Sequence, residues 1–387
     1  MKKILIFSAI FSFGVNAQDL VITNARIIDG TGRVIDSGSV VIDEGRIVSV
    51  SAGASTVIAT ARIDANGMTV MPGFIDAHRH IISGDAQIWF AEESTWNMQA
   101  YLDAGYTTLL EGGGRLPEIM ELKRLIDSGE LNGPRVITSA RADPLQYNTE
   151  ALARARIQEL AQAGVEIIKA STTPNEKDIL AILVDEARKY DLDVMVHAVT
   201  VPAMLAAVEA GAGKLVHTPH DSFLTAEEAS VVAQANIETL STIGFAVPTF
   251  DVYNDDNIPT FRDGNPWPEG ILGTGSNAAG EKAVNARTLW DAGVVYGFGT
   301  DTNYSPVKGL SHELRALNLM FSPRDIIKLM GPNTAAFLDM EDEIGTLEPG
   351  KLADIVFIDG DPLELIFNLL QVKLVLKGGE IVADHRN

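Results

Sequence analysis

The sequence predicts an α/β protein: a (β/α)8 barrel that carries a small composite β-sandwich formed by the N- and C-terminal segments. Three observations predict it. Eight short apolar runs alternate with helical stretches between residues 71 and 340. Most of the helical stretches stop at glycine or Ala-Gly, where glycine supplies a left-handed helix end. Both ends of the chain carry β-rich runs punctuated by Gly and Asp turns.

In chain order, residues 1–17 read as a removable export signal: Lys2 and Lys3, an apolar run from Ile4 to Val15, and Val15-Asn16-Ala17 as a small-residue cleavage site that leaves Gln18 in front. Residues 18–70 alternate like a small antiparallel sheet, with runs at Leu20–Asn24, Arg26–Ile28, Ser39–Ile42, Arg46–Val50, Ala61–Asp64 and Thr69–Val70. Residues 341–387 resemble them, with runs at Ile355–Ile358, Val372–Leu376 and Glu380–Val382, so the two ends are expected to share one sandwich. Residues 71–340 hold the barrel runs: Gly73–His80, Thr107–Glu111, Arg135–Ala140, Ile167–Ser171, Val194–Val199, Lys214–Thr218, Ala246–Phe250 and Val295–Asp301. Eight strand-helix units in series favour closed TIM-barrel architecture over an open sheet.

Composition narrows the function. The formal charge is −22 and no basic cluster lies beyond the first lysines, so nucleic acid and anionic membrane surfaces are poor partners. No stretch of about 18 apolar residues follows the signal, so no membrane anchor is expected. Without cysteine, any metal must be held by nitrogen and oxygen. A small-molecule substrate and a periplasmic or secreted location follow as expectations, with homo-oligomerisation left open.

Polar residues stand at the C-terminal ends of the runs, where barrel loops converge. His78 and His80 are two apart and share a strand face, with Arg79 directed away. Lys169 ends the fourth run, His197 the fifth, His217 the sixth and Asp301 the eighth. A buried ammonium at Lys169 is costly. Either it pairs with a carboxylate, or its amine carries CO2 as a carbamate. His220, in His217-Thr218-Pro219-His220-Asp221, stands as either a substrate contact or a loop residue. Together the six side chains at the strand ends predict a site for divalent metal.

Val70-Met71-Pro72-Gly73-Phe74-Ile75-Asp76-Ala77-His78-Arg79-His80 and Gly345-Thr346-Leu347-Glu348-Pro349-Gly350-Lys351-Leu352-Ala353-Asp354-Ile355-Val356 resemble signatures of the amidohydrolase superfamily. The layout is similar to its imidazolonepropionase-like and Xaa-Pro dipeptidase-like branch. That resemblance implies two divalent ions, with zinc the best match and manganese, cobalt or iron as alternatives. It assigns His78, His80 and Asp301 to one ion and His197 and His217 to the other, bridged by Lys169 as N6-carboxylysine. Two ions sharing a water bring its pKa towards neutrality, and Asp301 would carry the proton to the leaving amine.

Departures bear on the substrate. Val199 replaces a tyrosine that related dipeptidases place two residues after the fifth-strand histidine, and Glu111-Gly112-Gly113 replaces an Asp-x-Gly-Gly-like turn. Thr200 occupies the place of a deaminase glutamate, which argues against hydrolytic deamination. Loop 251–275 with Tyr253 and Trp267, loop 302–305 with Tyr304, and Trp96 are candidates for the pocket wall. The expected activity is amide hydrolysis in a peptide-like or N-acyl amino acid compound. A lactonase or ester hydrolase is the rival within enzymes, and a non-catalytic binding scaffold the rival outside them.

Overall fold

The computed structural model describes residues 18–244, 249–250, 259–260, 276–303 and 305–386. Five strands open the chain: β1 (Gln18–Ile28), β2 (Val34–Asp43), β3 (Arg46–Ala52), β4 (Ala59–Asp64) and β5 (Thr69–Pro72). Then come β6 (Phe74–Arg79), β7 (Tyr106–Glu111), β8 (Arg135–Ile137), β9 (Ser139–Arg141), β10 (Ile167–Ser171), β11 (Asp193–His197), β12 (Lys214–Val216) and β13 (Glu238–Leu240). A short pair, β14 (Thr249–Phe250) and β15 (Pro259–Thr260), precedes β16 (Tyr296–Gly297), and β17 (Ile355–Ile358), β18 (Val372–Lys377) and β19 (Glu380–Asp384) complete the set.

Strands from both ends build one sheet, ordered β19-β18-β17-β5-β1-β2-β3, with β4 also on β1. Alternating Val and Ile give these strands one apolar face, and Ile22, Ile27, Val40, Ile42, Phe357 and Leu374 pack into a core of their own. Each such fully buried side chain contributes about 1.5–3 kcal/mol. The sheet differs from the all-antiparallel expectation. β1 forks, pairing parallel with β4 through Gln18–Thr23 and with β5 through Arg26–Ile27. Both partners are reached only after the chain has passed through β2 and β3, and such crossovers return a strand parallel, whereas tight hairpins reverse it.

The middle of the chain is a TIM-barrel-like layer of parallel strands. β6, β7 and β8 form one ladder, and β9, β10, β11, β12, β13 and β16 form another. β8 and β9 are two parts of one run broken at Thr138, whose amide donates to Glu166 at 2.8 Å. Past β16 the chain stays extended beside β6: Ala77 N donates to Phe298 O (3.1 Å), Asp301 N to His78 O (2.7 Å) and His80 N to Thr302 O (3.1 Å).

One strand assignment is corrected. The seventh parallel strand is Glu238–Leu240, paired with β12 and β16; of the expected run Ala246–Phe250, residues 246–248 lie outside the described residues. Thr249–Phe250 instead pairs antiparallel with Pro259–Thr260. The preceding helix, Ala226–Gln234, lacks a glycine stop; Asn236 takes the left-handed turn (φ 54°) that Gly164 (φ 79°) supplies elsewhere. Three residues with a polar first position carry little apolar signal, because a short strand in a crowded interior is selected by its neighbours.

Candidate metal centre

Strand alternation places the first two candidate ligands. His78, one residue before the end of β6, is fully buried, and His80 follows with its ring 5.6 Å from that of His78. Arg79 points elsewhere, as alternation predicts, donating to Tyr101 Oη (2.7 Å) and to Thr300 (3.0 Å) and Thr302. Glu111, from the end of β7, accepts from Ile81 N (2.8 Å) and lies 3.5 Å from His80 Nδ1, so it steadies the second imidazole. Gly112 must lack a side chain: a Cβ there would fall 2.8 Å from His78 Cε1 and 3.0 Å from His80 Cε1.

Asp301 joins them from the far side of the strand layer. Its Oδ1 lies 3.3 Å from His78 Nε2 and 3.1 Å from His80 Nε2, and its Oδ2 lies 3.7 Å from His217 Nδ1. His78, His80 and Asp301 form a group whose ligand atoms lie within 4.8 Å of one another. The His217 ring stands 5.2 Å from that of His78 and 4.4 Å from that of His197. Both His217 (φ 81°) and Asp301 (φ 54°) adopt left-handed backbone, which residues other than glycine do at a cost and mostly at functional positions.

Lys169 is 1 % exposed. Among the described residues no carboxylate comes within ion-pairing distance of its amine, so the ion-pair alternative is not what the fold builds. A cavity of about 190 Å3 is lined by His78, His80, Lys169, His197, His217 and Asp301 together with Arg141 and Asn303. A second, of about 500 Å3, shares His197 and extends over Asp143, Leu145, Glu176 and Val199.

Burial dominates the electrostatics. It lowers the pKa of His78 to about 3 and of His197 to about 4, helped by Lys169, and holds His217 well below the ordinary histidine value. All three rings are therefore neutral and offer lone pairs at ordinary pH. Burial also lowers Lys169 to about 8, opposed by Asp301 and reinforced by Arg141. His80 is the exception: despite burial, hydrogen bonds to Asp301 and Glu111 raise it to about 9. Burial pushes the Asp301 carboxyl up, but the surrounding imidazoles hold it well below the usual range.

The donor set fits divalent metal. Neutral imidazoles, a carboxylate and no thiolate suit zinc and similar ions. His78 Nδ1 is buried without a hydrogen-bond partner. One proton cannot be shared between Asp301 Oδ1 and both His78 Nε2 and His80 Nε2, whereas a cation can meet all three.

Other candidates lie apart. His220 is half-buried beside Lys282 and Asp221 and does not line the 190 Å3 cavity; its backbone amide donates to Val199 O (3.0 Å). Thr200 lines the 500 Å3 cavity and caps the helix Val201–Glu209 by accepting from Ala203 N (3.2 Å). Trp96 is 60 % exposed and lines neither cavity. Tyr253, Trp267, Tyr304 and residues 1–17 lie outside the described residues. Arg141, which sequence reasoning missed, follows the last residue of the third predicted run, so the strand-end rule applied one residue further would have found it.

Comparison with known proteins places this geometry. The chain is similar to imidazolonepropionase of Alkaliphilus metalliredigens (strain QYMF), 25 % identical over 370 residues that cover 84 % of each chain. In structure it resembles a Xaa-Pro dipeptidase solved with methionine bound in its active site (TM-score 0.77, 23 % identity, 94 % of this chain and 99 % of that one). It also resembles A. niger ochratoxinase (TM-score 0.74, 18 % identity, 95 % and 97 % covered). The profile of the amidohydrolase family matches residues 69–382, from the last opening strand through the parallel layer and back into the terminal sheet. A match over that span, centred on the strands that carry the histidines, means that this chain belongs to the amidohydrolase family, enzymes that hydrolyse carbon–nitrogen bonds.

Proposed function

We propose that the chain hydrolyses an amide bond in a peptide-like or N-acyl amino acid substrate at a centre of two divalent ions. The observation that carries this reading is the convergence of four imidazoles, a carboxylate, a buried lysine and a guanidinium on one cavity. His78, His80 and Asp301 would hold one ion and His197 and His217 the other, with Lys169 between them as its carbamate. When bound, such ions supply a Lewis acid and an activated water, zinc being the best match to these donors.

The remaining work falls to the protein. Asp301, kept ionised by its imidazole neighbours, accepts a proton and delivers it to the departing nitrogen, a general acid/base duty worth about 10²–10⁴ in rate. Arg141 presents its guanidinium to the same cavity and suits a substrate carboxylate, which guanidinium geometry recognises well. The 500 Å3 cavity beside His197 offers apolar walls at Leu145 and Val199 to the rest of the substrate. The structural likeness to a Xaa-Pro dipeptidase favours the peptide-like class.

Two structural readings accompany this one. The hydrogen bonds joining β6 to residues 298–302 support a single closed eight-stranded barrel over residues 71–340, with 18–70 and 341–387 as the sandwich. Residues 1–17 support export, with Gln18 as the mature N-terminus, which mass spectrometry of the exported protein checks directly. The activity test is a panel of dipeptides, N-acyl amino acids and lactones with zinc-loaded enzyme. Turnover of amides above lactones is expected, and turnover of lactones alone would establish the esterase reading instead.

A further inference from the structure

The helix Pro306–Leu317 carries a buried carboxylate that the chemistry above leaves unused. Glu313 is 1 % exposed, and each of its oxygens accepts one backbone amide: Oε1 from Ile243 N (2.9 Å) and Oε2 from Gly244 N (2.6 Å). Burying a carboxylate is expensive unless charge-assisted hydrogen bonds compensate it. Two consecutive amides at the end of β13 provide that compensation, with buried Lys282 as a facing cation. The contact is close by construction, since a Cβ on Gly244 would lie 2.9 Å from the backbone of His312.

The residue before those amides is Thr242, which is buried with φ 43°. A β-branched residue rarely adopts left-handed backbone, and does so only where its surroundings over-determine it. Here Thr242 N donates to Gly299 O (3.0 Å) on one side, and Glu313 holds the next two amides on the other. The conformation brings Thr242 Oγ1 to 2.8 Å from His217 Nδ1.

We infer that Glu313 and Thr242 are positioning residues for the metal centre: Glu313 clamps the turn so that the Thr242 hydroxyl accepts from His217 Nδ1–H and leaves Nε2 free to bind an ion. A neutral imidazole carries one N–H, so fixing it on Nδ1 decides which nitrogen is the ligand. Outer partners of this kind typically change metal affinity by about 10–100-fold. The inference rests on the reading of His217 as a metal ligand.

The test uses the full-length protein and its Thr242→Val, Thr242→Ser and Glu313→Gln variants. Zinc retention is titrated against a chelator, and the histidine tautomers are read by 15N NMR of metal-stripped protein. Thr242→Val and Glu313→Gln should release zinc at about 10-fold lower chelator concentration and show a mixed His217 tautomer, while Thr242→Ser keeps both wild-type values. Wild-type retention in Thr242→Val, or a Thr242→Ser variant as weak as Thr242→Val, would overturn the inference. If even the wild type retains no zinc, the assignment of His217 as a ligand fails. The tautomer then decides the relay by itself: Nδ1–H in wild type with a mixture in Thr242→Val supports it, and identical spectra overturn it.

Discussion

Two buried lysines of the parallel layer, on β10 and β12 with β11 between them, have opposite fates. Lys169 pairs in register with Met195, and Met195 in turn with Lys214, so both lie along one line of the sheet. At the start of β12, Lys214 Nζ lies 3.0 Å from each of Asp193, Glu238 and Asp339. Against the downward push of burial, these carboxylates hold its pKa above the ordinary lysine value. Lys169, in β10, shares its cavity with imidazoles, Arg141 and Asp301 but pairs with no carboxylate among the described residues, and burial lowers it to about 8. The same residue type is thus a three-carboxylate tie in one place and a buried amine of lowered pKa in the other. Ion pairs stabilise the first site, and the second keeps the low-pKa amine that the proposed carbamate needs.

The largest expected effect comes from breaking the Lys169 site. Lys169→Ala should abolish amide turnover and lower metal content, with partial rescue by short carboxylic acids; an unaltered enzyme would remove the carbamate from the scheme. Gly112→Ala should follow, because its Cβ meets both His78 and His80, and metal retention should fall about 10-fold or more as measured by chelator titration. Lys214→Met should instead cost stability. The loss is expected at about 2 kcal/mol in denaturant melts, less than for a fully buried pair because the Asp193 and Asp339 side chains are 42 % and 68 % exposed. Its turnover per folded, metal-loaded molecule should match wild type, and a large kcat loss would erase the contrast between the two sites.

The smallest effect concerns pH. In metal-stripped protein, burial holds His78 at about 3 and His197 at about 4, while unfolded histidines titrate near 6.5. As pH falls below about 6.5, the unfolded chain binds protons that the folded chain refuses, so stability declines towards pH 4. His80 works in the opposite sense. Its contribution is fully present below about 6.5 and lost as pH rises towards 9, so it does not mask the acid-side decline. Thermal melts at pH 7 and pH 5 measure this directly, and equal melting temperatures would refute it.

Much of this was legible because the relevant signals are local. His78 and His80 share a face through a two-residue period, and the strand-end rule alone picks out Lys169, His197, His217 and Asp301. Glycine stops mark most helix ends for the same reason, since a left-handed residue is a property of one position. Legibility failed where a neighbour supplied the reason. β13 is three residues long and is a strand because β12 and β16 flank it. β4 and β5 run parallel to β1 because of the route of the chain between them.

The sequence by itself determined the donor types, their order along the chain and the terminal strands, because residue chemistry and short-range periodicity need no partner. Only the tertiary structure decided that Arg141 faces the same cavity, that His220 stands outside it, and that among the described residues Lys169 makes no ion pair while Lys214 makes three. Those outcomes depend on which distant groups share a low-dielectric space. Distance in space sets the strength of such interactions, and no local pattern encodes it.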